Sequence, residues 1–255
     1  MRVEEANPTS LRWEHELLLF LAEEIDEVVA PLLARDGSTF YLDGDRAVSV
    51  FPFVGGRTLR SRERSFRHVL PRLLARLHAR GQAWTAHDQR PDVPSLRERD
   101  WQRNDWWDWD LVEKTPSLVR AFEELRDWVS NAPDLTVCAI HGDFHPGNVL
   151  VRGRQIVGVV DWQYAHLDWP SLELAGAVWE LAREPGSIAV DPARSETVVG
   201  DYLAAGGPGE PEFLRPLMRI ESLVTVLFSL TRAARGLSWN PEFAALLLTT
   251  LDELA

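Results

Sequence analysis

Apolar positions recur at helical spacing between Ser10 and about Ala30, where Leu11, Leu18, Leu21, Ile25, Val28 and Val29 fall on one side of a helix. Ser10, following Pro8, has the side chain of an N-cap, and Pro31 is expected to end or kink the element before the turn at Asp36-Gly37. Short strand-like runs follow at Thr39–Leu42 and Ala47–Phe53, separated by the turn residues Asp43-Gly44-Asp45. Val54-Gly55-Gly56 breaks this pattern, and a helix is predicted from about Ser61 to Trp84.

The stretch from Gln89 to Asp110 is rich in Pro, Asp and Trp and reads as irregular. Pro116–Ser130 is amphipathic, with Pro116 suited to a first helical turn. Thr136–Ile140 has the continuous apolar character of a buried strand, and Val149–Val151 with Ile156–Val160 predicts a hairpin around Arg152-Gly153-Arg154. From Leu172 onward the pattern is mostly helical, with elements expected at Phe213–Ala234 and Pro241–Leu254. Strands early and in one central patch, with helices elsewhere, predict an α+β fold.

Composition adds limits. A chain of 255 residues with 45% hydrophobic and 26% charged residues can bury a substantial core. Glu4, Glu5, Glu14 and Glu16 interrupt any secretory-type start, and the best apolar run, Leu223–Leu230, is too short to cross a membrane. A cytoplasmic chain with no membrane partner is therefore expected. The single cysteine, Cys138, allows no internal disulfide and sits where a buried strand residue belongs. A net charge of -12 argues against a nucleic-acid partner, which demands a basic footprint, and suits a cationic small molecule. Lys114 is the only lysine.

Candidate chemistry concentrates after the central buried strand, in His141-Gly142-Asp143-Phe144-His145-Pro146-Gly147-Asn148. A second short strand ends at Val159-Val160-Asp161-Trp162. Asp143, Asn148 and Asp161 thus emerge from strand ends and loops around one hairpin. An Asn with a carboxylate is a hard-oxygen set suited to Mg²⁺ and unsuited to zinc, and it leaves one Asp free to accept a hydroxyl proton. Read alone, Asp, Gly, Pro and Asn are also what any turn contains.

Motif, spacing and strand context together resemble the aminoglycoside phosphotransferases, choline kinases and homoserine kinases, a variant of the kinase pattern of catalytic Asp, following Asn and separate metal-binding Asp. The resemblance implies a protein-kinase-like α+β fold. A reduced N-terminal lobe over residues 1–54, with its hinge near 50–54, would sit on a mainly helical catalytic lobe over 55–255. It implies ATP and Mg²⁺ as cofactors, Asp143 as catalytic base, Asn148 and Asp161 as metal ligands, and His141 beside Asp143 in the catalytic set as the organiser of its loop. His145 could touch substrate or phosphate, or serve only as a helper in the loop. Leu172-Glu173-Leu174-Ala175 resembles a family segment in which Asp is usual, so Glu173 would be a structural anchor. On the nucleotide side, Val48–Gly56 resembles the hinge strand, and Phe51 and Phe53, two apart, would share the strand face turned to the adenine. Glu14 would be the helical glutamate that pairs with the phosphate-binding lysine, and Arg2 would stand at the lysine's position.

Two features depart from that pattern. No lysine precedes Lys114 and the first glycine is Gly37, so the glycine-bearing phosphate loop and the lysine are missing from this sequence. The expectations are a start assigned too late, with roughly forty further residues upstream, or a shortened protein that has lost or rebuilt its nucleotide site. Arginine stays charged and donates in a fork, so Arg2 could still hold phosphates. The acceptor would be a small molecule, expected to be cationic. Trp101, Trp106, Trp107 and Trp109, interleaved with Asp105, Asp108 and Asp110, could cage an amine, or could staple an irregular segment onto neighbouring helices. An aminoglycoside-like acceptor, with a link to antibiotic resistance, stands beside homoserine, choline and a macrolide. A non-catalytic kinase-fold binding protein is the alternative of a different class.

Overall fold

A computed structural model describes residues 1–5, 7–60, 63–84, 88–100, 108–183 and 190–237. The order begins β1 (Arg2–Glu5), α1 (Pro8–Ala22), β2 (Phe40–Asp43), β3 (Arg46–Ser49) and β4 (Arg57–Thr58), followed by α2 (Val69–Gln82), α3 (Trp109–Glu113) and α4 (Pro116–Asn131). It continues with β5 (Cys138–Ile140), β6 (Val149–Arg152), β7 (Gln155–Val159), β8 (His166–Asp168), α5 (Pro170–Ala182), α6 (Pro192–Ala204) and α7 (Leu214–Ala234). The strands form three small sheets, ordered β1-β3-β2, β4-β6-β7 and β5-β8, each paired antiparallel. Small sheets and helices around one core make an α+β fold.

Helix α1 differs from its sequence pattern at both ends. Asn7, not Ser10, is the N-cap: its side chain accepts the Ser10 amide at 3.3 Å, and Pro8 opens the first turn. The helix ends at Ala22, well before Pro31, because the chain is needed elsewhere. The Val159 amide donates to the Glu27 carbonyl at 2.6 Å, and Val28 bridges to Val159 of β7. Ile25 and Val28, which extend the helical period, are buried from this non-helical path.

Strand β3 stops at Ser49, four residues short of the expected Phe53. Pro52 has no amide to donate to a ladder, and the Val50 carbonyl is taken by the Leu32 amide at 2.7 Å. Phe51 and Phe53 therefore do not share a strand face. Phe51 packs edge-on to His15 with 5.7 Å between ring centroids, whereas Phe53 is 97% exposed. The helix expected from Ser61 starts at Val69, after a 3₁₀ turn at Arg64–Phe66. The helix expected at Pro241–Leu254 lies outside the described residues.

One hydrophobic cluster joins these parts. Trp13, Leu17, Leu18 and Leu21 of α1 belong to it together with Leu70, Leu74, Val149, Leu174 and Leu223. Helix α2 meets β5 so closely at Gly81 that a Cβ there would lie 2.4 Å from the Ala139 carbonyl oxygen. The β6–β7 hairpin turns at Gly153-Arg154, and β8 holds β5 in register from Cys138↔Asp168 to Ile140↔His166. The two pairings aim the end of β5 and the end of β7 at the same loops. Among the described residues, no helix is long and apolar enough to cross a membrane.

Candidate active site

The segment after β5 is a loop stapled from below. Glu173, in the first turn of α5, accepts the His141 amide through Oε2 at 3.1 Å and the Gly142 amide through Oε1 at 2.6 Å. Its position at a helix N-terminus suits a carboxylate. His78 of α2 faces the same carboxylate, Nε2 to Oε2 at 2.8 Å. The Tyr202 hydroxyl donates to the Pro208 carbonyl at 2.5 Å and contacts His78 Nδ1 at 2.7 Å. His78 thus bridges the Tyr202 hydroxyl and the Glu173 carboxylate through its two ring nitrogens. The three side chains are buried. His78 and the two backbone amides hold the Glu173 carboxyl below the usual carboxylate range in spite of its burial. This pair ties α2, α5 and α6 to the backbone under Asp143.

Gly142 has φ 80°, and a Cβ on it would lie 2.1 Å from the Tyr164 carbonyl oxygen. Only glycine fits this approach. His141 is 1% exposed, and burial lowers its pKa. Its Nδ1 accepts the Asp143 amide at 3.2 Å and its Nε2 donates to the Val160 carbonyl at 3.0 Å. With both nitrogens engaged by backbone, His141 orders the loop and joins it to the strand end before Asp161, but has no free nitrogen for proton transfer.

Asp143 and Asn148 meet directly. The Asn148 Nδ2 donates to the Asp143 backbone oxygen at 2.9 Å and to its Oδ2 at 3.0 Å. That use of the amide nitrogen leaves the Asn148 oxygen as the atom available to a cation. A 3₁₀ turn at Pro146–Asn148 delivers Asn148 to this point. Asp161 has φ 69° and is the only non-glycine residue with positive φ among the described residues. An aspartate in the left-handed region at the end of β7 is a conformation held by its surroundings. Its side chain is exposed, in contrast to the engaged Asn148. Asn and Asp oxygens are donors of the kind that suit a hard divalent cation. Among the described residues, no group of three or more His, Cys, Asp or Glu side chains is arranged to hold a metal by itself.

His145 stands beside Asp143. Its Nδ1 accepts the Gly147 amide at 3.0 Å, so the neutral ring carries its proton on Nε2, 3.6 Å from Asp143 Oδ2. The Asp143 carboxylate raises the pKa of this ring, against desolvation. Glu221, on α7, was not singled out by any motif. Burial pushes its carboxyl up to about 7 against the pull of Arg99, and the like charges of Glu173, Asp143 and Asp168 add to the rise. Glu221 is half-buried on α7.

Toward β1, the Arg2 guanidinium contacts buried Glu14 and, at 2.6 Å, Glu4. Glu14 Oε2 also lies 3.4 Å from Nη1 of Arg90, a buried arginine on the segment after α2. On the proposed acceptor side, Asp108 caps α3 by accepting the Asp110 amide at 3.0 Å, and Trp109 packs on Phe122 of α4 at 4.7 Å. Both side chains have local partners. Trp106 and residues 101–107 lie outside the described residues. Arg90, His78, Tyr202 and Glu221 escaped sequence reasoning because their partners lie far along the chain, and no local pattern marks them.

Known proteins give this arrangement a context. The chain is 28% identical over 155 residues to stress response kinase A of Salmonella choleraesuis (strain SC-B67), covering 59% of this chain and 47% of that protein. It is 26% identical over 175 residues to homoserine kinase of Gluconobacter oxydans (strain 621H), covering 66% and 54%. The chain thus spans about half the length of the curated relatives it matches. Among solved structures, the amicoumacin kinase hAmiN in complex with AMP-PNP, Ca²⁺ and Ami superimposes with TM-score 0.77 at 12% identity, over 99% of this chain and 80% of that one. A microcompartment-associated aminopropanol kinase gives 0.69 at 21%, over 99% and 82%. These structural likenesses establish the kinase-like fold. Residues 1–217 match the phosphotransferase enzyme family, and the chain belongs to that family.

Proposed function

We propose that this chain moves the γ-phosphoryl group of ATP to a hydroxyl of a small, amine-bearing molecule. The observation that carries the reading is the Asp143–Asn148 pair on a loop bolted by Glu173, with Asp161 projecting from a left-handed backbone at the neighbouring strand end. Residues 1–54 act as a reduced nucleotide lobe, with Arg2 and Glu14 on the phosphate side and Phe51 near the hinge. Residues 55–255 act as the catalytic lobe. Asn148 Oδ1 and the Asp161 carboxylate would hold Mg²⁺, which supplies charge neutralisation on the phosphates.

The chain's own groups do the rest. Asn148 occupies Asp143 Oδ2, which leaves Oδ1 to orient the acceptor hydroxyl and take its proton. His145 Nε2–H faces the same carboxylate and steadies its charge. The net charge of -12 favours a cationic acceptor. Nucleotide complexes among the structural relatives support ATP as donor. The second reading is a kinase-fold protein that binds without transferring, favoured by Arg2 where the resemblance calls for lysine.

The test is Mg²⁺-dependent ATP binding by calorimetry, followed by a screen of hydroxylated amines for phosphorylation. Asp143→Asn should leave binding intact and lower turnover by about 10²–10⁴-fold. A variant that keeps most of its activity rules out Asp143 as base. ATP binding without transfer to any acceptor supports the second reading.

A further inference from the structure

Arg90 is a buried cation placed between two elements that the phosphotransferase reading needs in fixed relation. Its side chain is 6% exposed. Nε donates to Ser10 Oγ at 2.6 Å and to Asp92 Oδ1 at 2.9 Å. Nη1 lies 3.4 Å from Glu14 Oε2 and reaches the carbonyls of Trp162 at 3.4 Å and Ala165 at 3.3 Å. One planar fork therefore touches helix α1 on one side and the loop after Asp161 on the other. Its neighbours reinforce the junction. The Gln89 side chain donates to the Leu167 carbonyl at 2.8 Å and accepts the Leu167 amide at 2.9 Å, as a paired strand residue would. The Trp13 indole donates to the Asp88 carbonyl at 2.8 Å.

Asp161 itself is gripped through its flanks. On one side the Val160 carbonyl is held by His141 and the Val160 amide donates to the Asn148 carbonyl at 2.9 Å. On the other side the Trp162 carbonyl accepts the Ala165 amide at 2.9 Å and the Arg90 guanidinium. Glu14, the second partner of Arg90 on α1, is also the partner of Arg2. Metal-site aspartate and phosphate-side arginine thus converge on a single guanidinium.

We infer that Arg90 is a positioning residue that locks helix α1 and the Asp161 loop into one unit, presetting Arg2 and Asp161 for the same Mg²⁺–nucleotide complex. The inference rests on the phosphotransferase reading. A point charge cannot replace the fork, because bonds must leave the group in several directions within one plane.

Arg90→Lys keeps the charge and most of the volume, and Arg90→Met keeps volume alone. Both are compared with the unaltered protein by thermal melting, calorimetry with Mg²⁺–ATP, and amide hydrogen exchange. The expected result is a cooperative melt for Arg90→Lys with affinity for Mg²⁺–ATP at least about tenfold weaker, equivalent to about 1.4 kcal/mol. Exchange should rise together in residues 10–18 and 160–167 while residues 141–148 keep their protection. Native exchange in both segments of a folded Arg90→Lys overturns the inference, as does native Mg²⁺–ATP affinity. Rescue by lysine to full affinity, with loss only in methionine, overturns the role of the fork. If the unaltered protein binds no Mg²⁺–ATP, the phosphotransferase reading itself fails, and the Arg90 role falls with it.

Discussion

At the scale of single residues, this molecule handles its buried charges by giving each several partners. Glu173 meets two backbone amides and the His78 ring, and Glu14 sits between two guanidinium groups. His15 is the contrasting case. Next to Glu14 in sequence, it is fully buried, bonds Thr39 Oγ1 through Nδ1 at 2.8 Å, and leaves Nε2 without a hydrogen-bond partner. Burial, with Arg2 and Arg90 as like charges, lowers its pKa to about 4. The unfolded chain therefore binds a proton that the folded chain refuses between about pH 4 and pH 6.5. The contribution of neutral His15 to stability is complete above 6.5 and declines as pH falls toward 4. Melting temperature should drop across that window, and His15→Asn, which retains a partner for Thr39, should flatten the slope. An unchanged slope in the variant places the acid sensitivity elsewhere.

At the scale of elements, close approaches decide which residues are tolerated. Gly81 lies on the face of α2 that lies against β5, and β5 leads directly into His141. A methyl group there meets a backbone carbonyl, which cannot rotate away as a side chain would. Gly81→Ala normally favours a helix by about 1 kcal/mol. Here the contact should reverse the sign and cost about 1–3 kcal/mol, read as a lower midpoint in urea with an unchanged slope. Under the proposed function turnover should fall too, since a displaced β5 carries the loop at residues 141–148 with it. A stabilised variant indicates that α2 and β5 separate freely. The same scale explains why β3 ends at Ser49 and α1 at Ala22: Pro52 has no ladder donor, and Glu27 and Val28 serve β7.

At the scale of the whole molecule, one hydrophobic cluster runs across the boundary near residue 54. Trp13 packs edge-on against Trp84 at 6.3 Å, and Arg80 stacks over Phe20 at 3.7 Å while pairing with Glu23 and Glu24. Helix α1 is thus part of the same hydrophobic cluster as α2, α5 and α7. Calorimetric unfolding should show one cooperative transition, with calorimetric and van't Hoff enthalpies equal. Two transitions would mean that the strands and helix before residue 54 melt as an independent unit.

Much of this was readable in the sequence for local reasons. Apolar periodicity located α4, α7 and the β6–β7 hairpin, because period and turn chemistry are set by neighbours in the chain. The spacing of Asp143, Asn148 and Asp161 was legible because one loop and one hairpin carry all three. The rest required the folded chain. Phe51 and Phe53 were assigned one face by a period that holds only while the strand lasts. Ser10 had the chemistry of a cap but was recruited by Arg90. His78, Tyr202, Arg90 and Glu221 acquire meaning only through partners many residues away, brought together by α2, α6 and α7. The sequence alone determined which side chains are candidates to perform the proposed chemistry. The tertiary structure decided which were free to do so, because a buried polar group must first find its partners and those partners come from across the chain.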